Sequence, residues 1–301
     1  MIKLEINQIE NLKIEHFEAV KDFVEHLPVA DIDNLYQDII KLLGFRVFPP
    51  VRIKTDYSWL ERFILADYVQ LKYWAKNCSD DLKFTLFRNL YESKFSNGEN
   101  KFIDSRGIYN AYTMLMKMDV HICPYCERAF LDIVVIDGKK RRTVELDHFL
   151  QKGTYPALAM CFYNLIPSCK ACNQIKKSNL TPASPYADDI ESLTCLYPDL
   201  PVGVNMENVK EEDCKVKFHA KGDMIINEKT LALEQRYEST APYVHSLLRK
   251  KQQYSEEKIA EIAAMMEISP QQFKYDLFGN PRVQAKGKEP LTKMKYDLIG
   301  W

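Results

Sequence analysis

The sequence predicts an α+β protein that is mostly helical, with a small β-rich, cysteine-stapled module set between N- and C-terminal helical regions. Three observations predict it. Apolar residues recur at helical spacing up to about Met118 and again after Glu228. Between them lies a stretch of alternating polarity around Asp137-Gly138, a dipeptide typical of hairpin turns. Two Cys-x-x-Cys pairs flank that stretch. The expected divisions are residues 1–118, 119–182 and 183–301.

In chain order, "NLKIEHFEAVKDFVEHL" and "DIDNLYQDIIKLLG" read as amphipathic helices, the second ended by Gly44. "FPPVRIK" is a breaker because of Pro49 and Pro50. "DYSWLERFILADYVQLKYWAKN" reads as one long helix opened by Asp56, followed by helical "DDLKFTLFRNLYESKF" and "RGIYNAYTMLMKM". The aromatic and methionine stripes along these segments are core positions. "AFLDIVVIDGKKRRTVELDHF" is β-rich on both sides of its turn, and "GTYPALAMCFYNLIPSCKACNQIKKSN" reads as a loop entering a short helix. "KVKFHAKGDMIIN" reads as a second hairpin. "EKTLALEQRY", "YVHSLLRKKQQ" and "SEEKIAEIAAMME" are helical, and the tail after Gly279 is expected to have little order until "LTKMKYDLIGW".

Composition limits the function. The 301 residues are 46% hydrophobic and 28% charged, ordinary for a globular chain able to bury a core. The N-terminus has no secretory h-region and no segment reaches about 18 apolar residues, so the expected location is cytoplasmic, with no membrane partner. A net charge of −1 argues against coating nucleic acid over the whole surface. Between Lys139 and Lys177, however, eight basic residues face only Glu145 and Asp147, the footprint expected where phosphates dock. Arg141, Arg142, Lys152 and Lys176 are the candidate phosphate contacts.

Of eight cysteines, four form Cys123-Pro-Tyr-Cys126 and Cys169-Lys-Ala-Cys172. Two such knuckles can close a tetrahedral Cys₄ shell, the arrangement structural Zn²⁺ prefers, whereas a redox dithiol would leave the second pair unexplained. Cys78, Cys161, Cys195 and Cys214 are expected to be buried free thiols. Inside the stapled unit stand Asp147, His148, Asn164 and, immediately after Cys172, Asn173, with Lys176 one helical turn further on. His148 is the side chain there whose ordinary pKa suits a general base near neutrality. His16, His26, His121, His219 and His245 have no such neighbours and are given no role.

An Asp-His pair on a strand, a central Asn-Leu and a closing Cys-x-x-Cys-Asn-x-x-Lys resemble the HNH endonuclease family and its ββα-metal fold, over about Cys123 to Lys177. The resemblance implies that Asp147 and Asn173 are ligands of a catalytic Mg²⁺ or Mn²⁺, and that Asn164 orients the His148 ring through a hydrogen bond. Many members follow the histidine with a β-branched residue, a proline and a glycine pair. Here Phe149, Leu150 and a single Gly153 stand instead, so the substrate-facing loop is particular to this chain.

The wider arrangement is similar to HNH effector subunits of bacterial anti-phage systems, of the Septu PtuB type and its retron-associated relatives. That likeness implies DNA as substrate and an ATPase partner subunit of the PtuA type, docked by the N-terminal helices. Two other readings stand beside it. One is a non-cleaving, zinc-stabilised nucleic-acid-binding or assembly subunit, and the other an HNH ribonuclease acting on RNA such as tRNA.

Overall fold

A computed structural model describes residues 1–44, 56–96, 103–104, 107–177 and 179–301, so the "FPPVRIK" breaker lies outside the described residues. The architecture is α+β and mostly helical, as expected. Helices α1 (Ile9–Glu25) and α2 (Val29–Leu43) form where the apolar periodicity places them, and Gly44 ends α2 with a φ of 69°, a backbone state that glycine adopts without strain. The long helix expected over 56–77 is instead two, α3 (Ser58–Ile64) and α4 (Tyr68–Asn77). Asp67 causes the break, because its side chain accepts from the Gln70 N–H at 2.8 Å and so caps a new helix. The two pieces fold back on each other, with the Phe63 and Trp74 rings stacked at 5.4 Å.

After α5 (Leu86–Leu90), a π-helical turn spans Tyr91–Phe95. Short strands β1 (Ile103–Asp104) and β2 (Gly107–Ile108) precede α6 (Ala111–Met118), which Asn110 opens with a capping box. Strands β3 (Ile133–Ile136) and β4 (Lys139–Arg142) pair through the expected Asp137-Gly138 turn, where both residues have positive φ.

The decisive departure follows. Leu165–Cys169, expected as loop, is strand β6, paired antiparallel with β5 (Val144–His148), and α7 (Lys170–Lys176) follows at once. All five β6 residues are buried, so the alternation that marks a half-exposed strand is absent, and Pro167 obscures the rest.

The second hairpin also needs correction. Val216–Ala220 is a strand (β8), but its partner is β7 (Thr194–Pro198), and Met224–Thr230 is helix α8. Helices α9 (Leu233–Tyr237), α10 (Ala241–Gln253), α11 (Glu256–Met265) and α12 (Pro270–Phe278) follow. The tail is ordered as α13 (Arg282–Ala285) and α14 (Thr292–Ile299). Its polar residues are satisfied internally: Arg282 pairs with Glu191, and the Lys293 ammonium lies 2.6 Å from Asp297. Among the free cysteines Cys161 and Cys214 are buried, but Cys195 is exposed and Cys78 half-buried. No helix among the described residues is long and apolar enough to cross a membrane.

One apolar core runs from α1 and α2 through α6 into β5, β6 and α7, and reaches Leu233; a smaller one joins Leu196 and Val216 to Val244 and Met294. The stapled module therefore shares a core with the N-terminal helices. At that junction His16 is fully buried, with Nδ1 3.0 Å from the Tyr109 hydroxyl and Nε2 2.7 Å from the Met160 carbonyl.

Burial pushes the His16 imidazole down to about 4, against the pull of that carbonyl. Because its folded value lies below its unfolded one, its stabilising contribution is complete above about pH 6.5 and is lost as pH falls toward 4. Urea unfolding should show a stability loss on the order of 2 kcal/mol from this residue between pH 7 and 5. His16→Gln should flatten that part of the pH dependence. An unchanged slope would mean that another group carries it.

Candidate active site and metal centre

The first knuckle is a tight turn closed by Glu127 N–H to the Cys123 carbonyl at 2.7 Å and Cys123 N–H to the Ala129 carbonyl at 3.0 Å. The second is the junction of β6 and α7: Cys169 is the N-cap of α7 and Cys172 lies in its first turn. These two local structures bring all four Sγ atoms within 4.8 Å of one another, with Cys123–Cys172 at 3.8 Å and Cys126–Cys169 at 3.9 Å. A tetrahedron of thiolates about 2.3 Å from a central Zn²⁺ has edges of about 3.8 Å, whereas a disulfide would bring sulfurs to about 2.05 Å. The four buried cysteines can hold a zinc ion.

Their surroundings suit thiolates. The Cys169 and Cys172 N–H groups each point at a sulfur at 3.4 Å, and Arg236 Nη1 donates to Cys172 Sγ at 3.0 Å. A ZnCys₄ unit carries excess negative charge, and a guanidinium beside it offsets that charge. Arg236 lies 64 residues from Cys172, the nearest of the four clustered cysteines, with no local motif to mark it.

Strand β5 delivers Asp147 and His148 opposite Ile166 and Leu165 of β6. Asp147 is buried, and its Oδ2 accepts from the Tyr125 hydroxyl at 2.6 Å and from Lys176 Nζ at 2.5 Å. Tyr125 is the third residue of the Cys-Pro-Tyr-Cys knuckle, so the cysteine cluster and the carboxylate are joined by one hydrogen bond. Burial pushes the Tyr125 phenol well above its ordinary range and keeps it a donor. Lys176 is fully buried, and also donates to the His148 carbonyl at 2.7 Å. The expectation that Lys176 meets phosphate at the surface is thus corrected, because its charge is spent inside the module on Asp147.

The His148 ring packs edge-on against Tyr91, centroids 4.5 Å apart, and its Nε2 lies 3.1 Å from the Ala159 carbonyl. A carbonyl only accepts, so Nε2 carries the proton and Nδ1 keeps its lone pair. Burial pushes this imidazole down to about 3, while the Ala159 carbonyl pulls it up. Asn164 spends its hydrogen bonds on the backbone and not on the ring, contrary to expectation. Its amide accepts from Leu150 N–H at 2.6 Å and donates to the Leu150 and Leu158 carbonyls at 3.0 and 2.9 Å. It therefore ties the chain after His148 to the turn that presents Ala159, and acts on the ring at one remove.

Asn173, on α7, donates from Nδ2 to Glu145 Oε2 at 2.7 Å. A carboxylate cannot donate while ionised, so this contact fixes the amide with Oδ1 turned away from Glu145. Glu145 was not among the sequence candidates. Its signal was available, because it stands two residues before Asp147 and so shares a face of β5 with it.

Asp147, His148, Glu145 and Asn173 line one cleft of about 380 Å³, with Arg142 and Lys152 at its border. Lys152 is paired with Glu92 at 2.5 Å, and Arg142 lies over the Tyr112 ring at 4.9 Å. Arg141 projects from β4 and does not line this cleft. The oxygen donors of Asp147 and Asn173 are of the hard type that Mg²⁺ and Mn²⁺ take.

These features place a Cys₄ cluster that can hold a metal ion in a ββα unit, beside a cleft with a carboxylate and a neutral imidazole. Over 59 residues, 20% of this chain and 20% of its relative, the sequence is 42% identical to Septu protein PtuB of Bacillus thuringiensis. The chain thus shares a segment with that protein, and the match leaves four-fifths of each outside it. No family model matches the chain, and no solved structure matches it.

Proposed function

We propose that the chain is a metal-dependent endonuclease of the HNH type that hydrolyses phosphodiester bonds in DNA. The observation that carries the reading is the state of His148. Its proton is committed to Ala159 through Nε2, and its free Nδ1 belongs to a ring in the same cleft as Asp147 and Asn173. A neutral imidazole held this way can take a proton from an attacking water, and the turn tied down by Asn164 keeps the ring from rotating. Arg142 and Lys152 border the cleft where the charge of a bound phosphate would need offsetting. A divalent cation held by Asp147 and Asn173 would supply neutralisation of charge on the scissile group.

The shared segment with a Septu protein, together with the HNH pattern, supports a place as the nuclease effector of an anti-phage defence system with an ATPase partner. The test is cleavage of plasmid, single-stranded DNA and total tRNA with Mg²⁺ or Mn²⁺, with and without the product of the neighbouring gene. His148→Ala should lower the rate by about 10²–10⁴-fold, the usual worth of a positioned general base. Equal rates for wild type and variant, or no cleavage in any arm, would reject the assignment and favour a binding or assembly subunit.

A further inference from the structure

The outer part of the hairpin of β3 and β4 is exposed on both faces, while at its root Ile133 packs on the main core. Its two four-residue strands pair only with each other. Val134, Val135 and Ile136 are 44%, 65% and 50% exposed. An isolated two-stranded ribbon gains little from folding alone, so aliphatic side chains left bare on both faces call for a partner.

The register says what kind. Cross-strand neighbours share a face, so Val134 stands with Arg141 and Ile136 with Lys139 on one side, and Val135 with Lys140 on the other. Each face thus combines an aliphatic surface with cations. Several lysines elsewhere are ion-paired, as in Lys72–Asp223, Lys117–Glu15 and Lys286–Glu5. Lys139 and Arg141 have no carboxylate among the described residues, and Lys140 contacts only Met116 Sδ, at 3.4 Å. At the root of the ribbon, Arg142 lines the cleft that holds His148. The ribbon and the candidate site thus meet at Arg142.

We infer that the β3–β4 ribbon is a duplex-gripping arm that enters the groove of B-form DNA and sets the strand across the cleft. A two-stranded ribbon fits the major groove of B-DNA, with lysine and arginine reaching phosphates and aliphatic side chains meeting thymine methyls or sugars. The major groove of A-form RNA is too narrow to admit it. This inference rests on the nuclease reading for its substrate, and it selects duplex DNA over RNA.

The experiment measures binding, by fluorescence anisotropy, of a short DNA duplex, the RNA duplex of the same sequence and a single strand. It uses the full chain carrying His148→Ala, with and without K139A/K140A/R141A. The ribbon substitutions should weaken DNA-duplex binding at least tenfold. They should also reduce the slope of log affinity against log salt by roughly 2–3, about one per lost phosphate contact. RNA duplex should bind the parent at least tenfold more weakly than DNA. Should the triple variant lose zinc or unfold early, R141E at its exposed position serves in its place.

Unchanged DNA affinity, preference for RNA duplex, or no binding by the parent would each overturn the arm, the first by assigning the ribbon to a protein partner. Because the readout is binding, the two proposals fail separately. Ribbon-dependent binding without cleavage by wild type would refute the nuclease alone, and cleavage without ribbon dependence would refute the arm alone.

Discussion

Lys176→Met is expected to lower the unfolding free energy by about 3–5 kcal/mol, an unusually large loss for one residue of a short, solvent-edged helix. The side chains of Lys176 and Asp147 are 1% and 5% exposed, so neither ion can turn to water if its partner disappears. Methionine keeps nearly the volume of lysine and removes its charge. Asp147 would then be a buried carboxylate with the Tyr125 hydroxyl as its remaining partner at Oδ2, and the His148 carbonyl would lose its donor as well. Breaking one side of such a pair costs more than removing both sides, because the survivor bears an uncompensated desolvation.

The double variant K176M/D147N should therefore be more stable than K176M alone, in a double-mutant cycle measured by urea unfolding. A loss below about 1 kcal/mol for K176M would mean that water reaches the pair and that the module is looser than its packing indicates. Activity should fall in both variants, through Asp147, so stability is the discriminating readout.

What the sequence made legible follows from where its signals are local. The two Cys-x-x-Cys knuckles were readable because each spans four consecutive residues, and the spacing they need is set within those four. The Asp137-Gly138 hairpin was readable for the same reason. Strand β6 was not, because burial on both faces erases alternation and a proline sits at its centre. The break at Asp67 was hidden inside an apolar periodicity that continues on both sides of it, and only a capping hydrogen bond resolves it. The roles of Lys176, Glu145 and Arg236 depend on contacts across 28 to 64 residues, which no local pattern encodes. Asn164 shows an intermediate case: its importance was legible, but its hydrogen bonds go to backbone at Leu150 and Leu158 and leave the ring to Ala159.

Removal of a zinc ion held by the four cysteines is the second change expected to have a large effect, and its reach should be uneven. The Cys₄ centre ties the knuckle at 123–126 to the β6–α7 junction, and from there Tyr125 holds Asp147. On its other side the centre anchors the C-terminal region: Arg236 donates to Cys172, the Tyr237 hydroxyl donates to the Cys126 carbonyl at 2.8 Å, and Glu127 caps α14 through the Lys293 N–H at 2.7 Å. Structural zinc in small domains contributes folding free energy on the order of 10 kcal/mol, but α1, α2 and α3 bury a large apolar surface of their own.

Chelation should accordingly abolish hydrogen-exchange protection in β5, β6, α7 and α14, while α1 and α2 retain much of theirs. Arg236→Ala should weaken zinc retention by about 10–100-fold in a competition with a chromogenic chelator, as loss of an outer-shell partner does. Retained protection throughout after complete metal removal would show that the shared core alone holds the module. The cysteines would then be open to the competing dithiol reading, for which reversible oxidation without loss of fold is the distinguishing behaviour. Local collapse confined to the module and α14 would instead show that the carboxylate of the candidate site is held in place through the metal centre, by way of the Tyr125 hydroxyl.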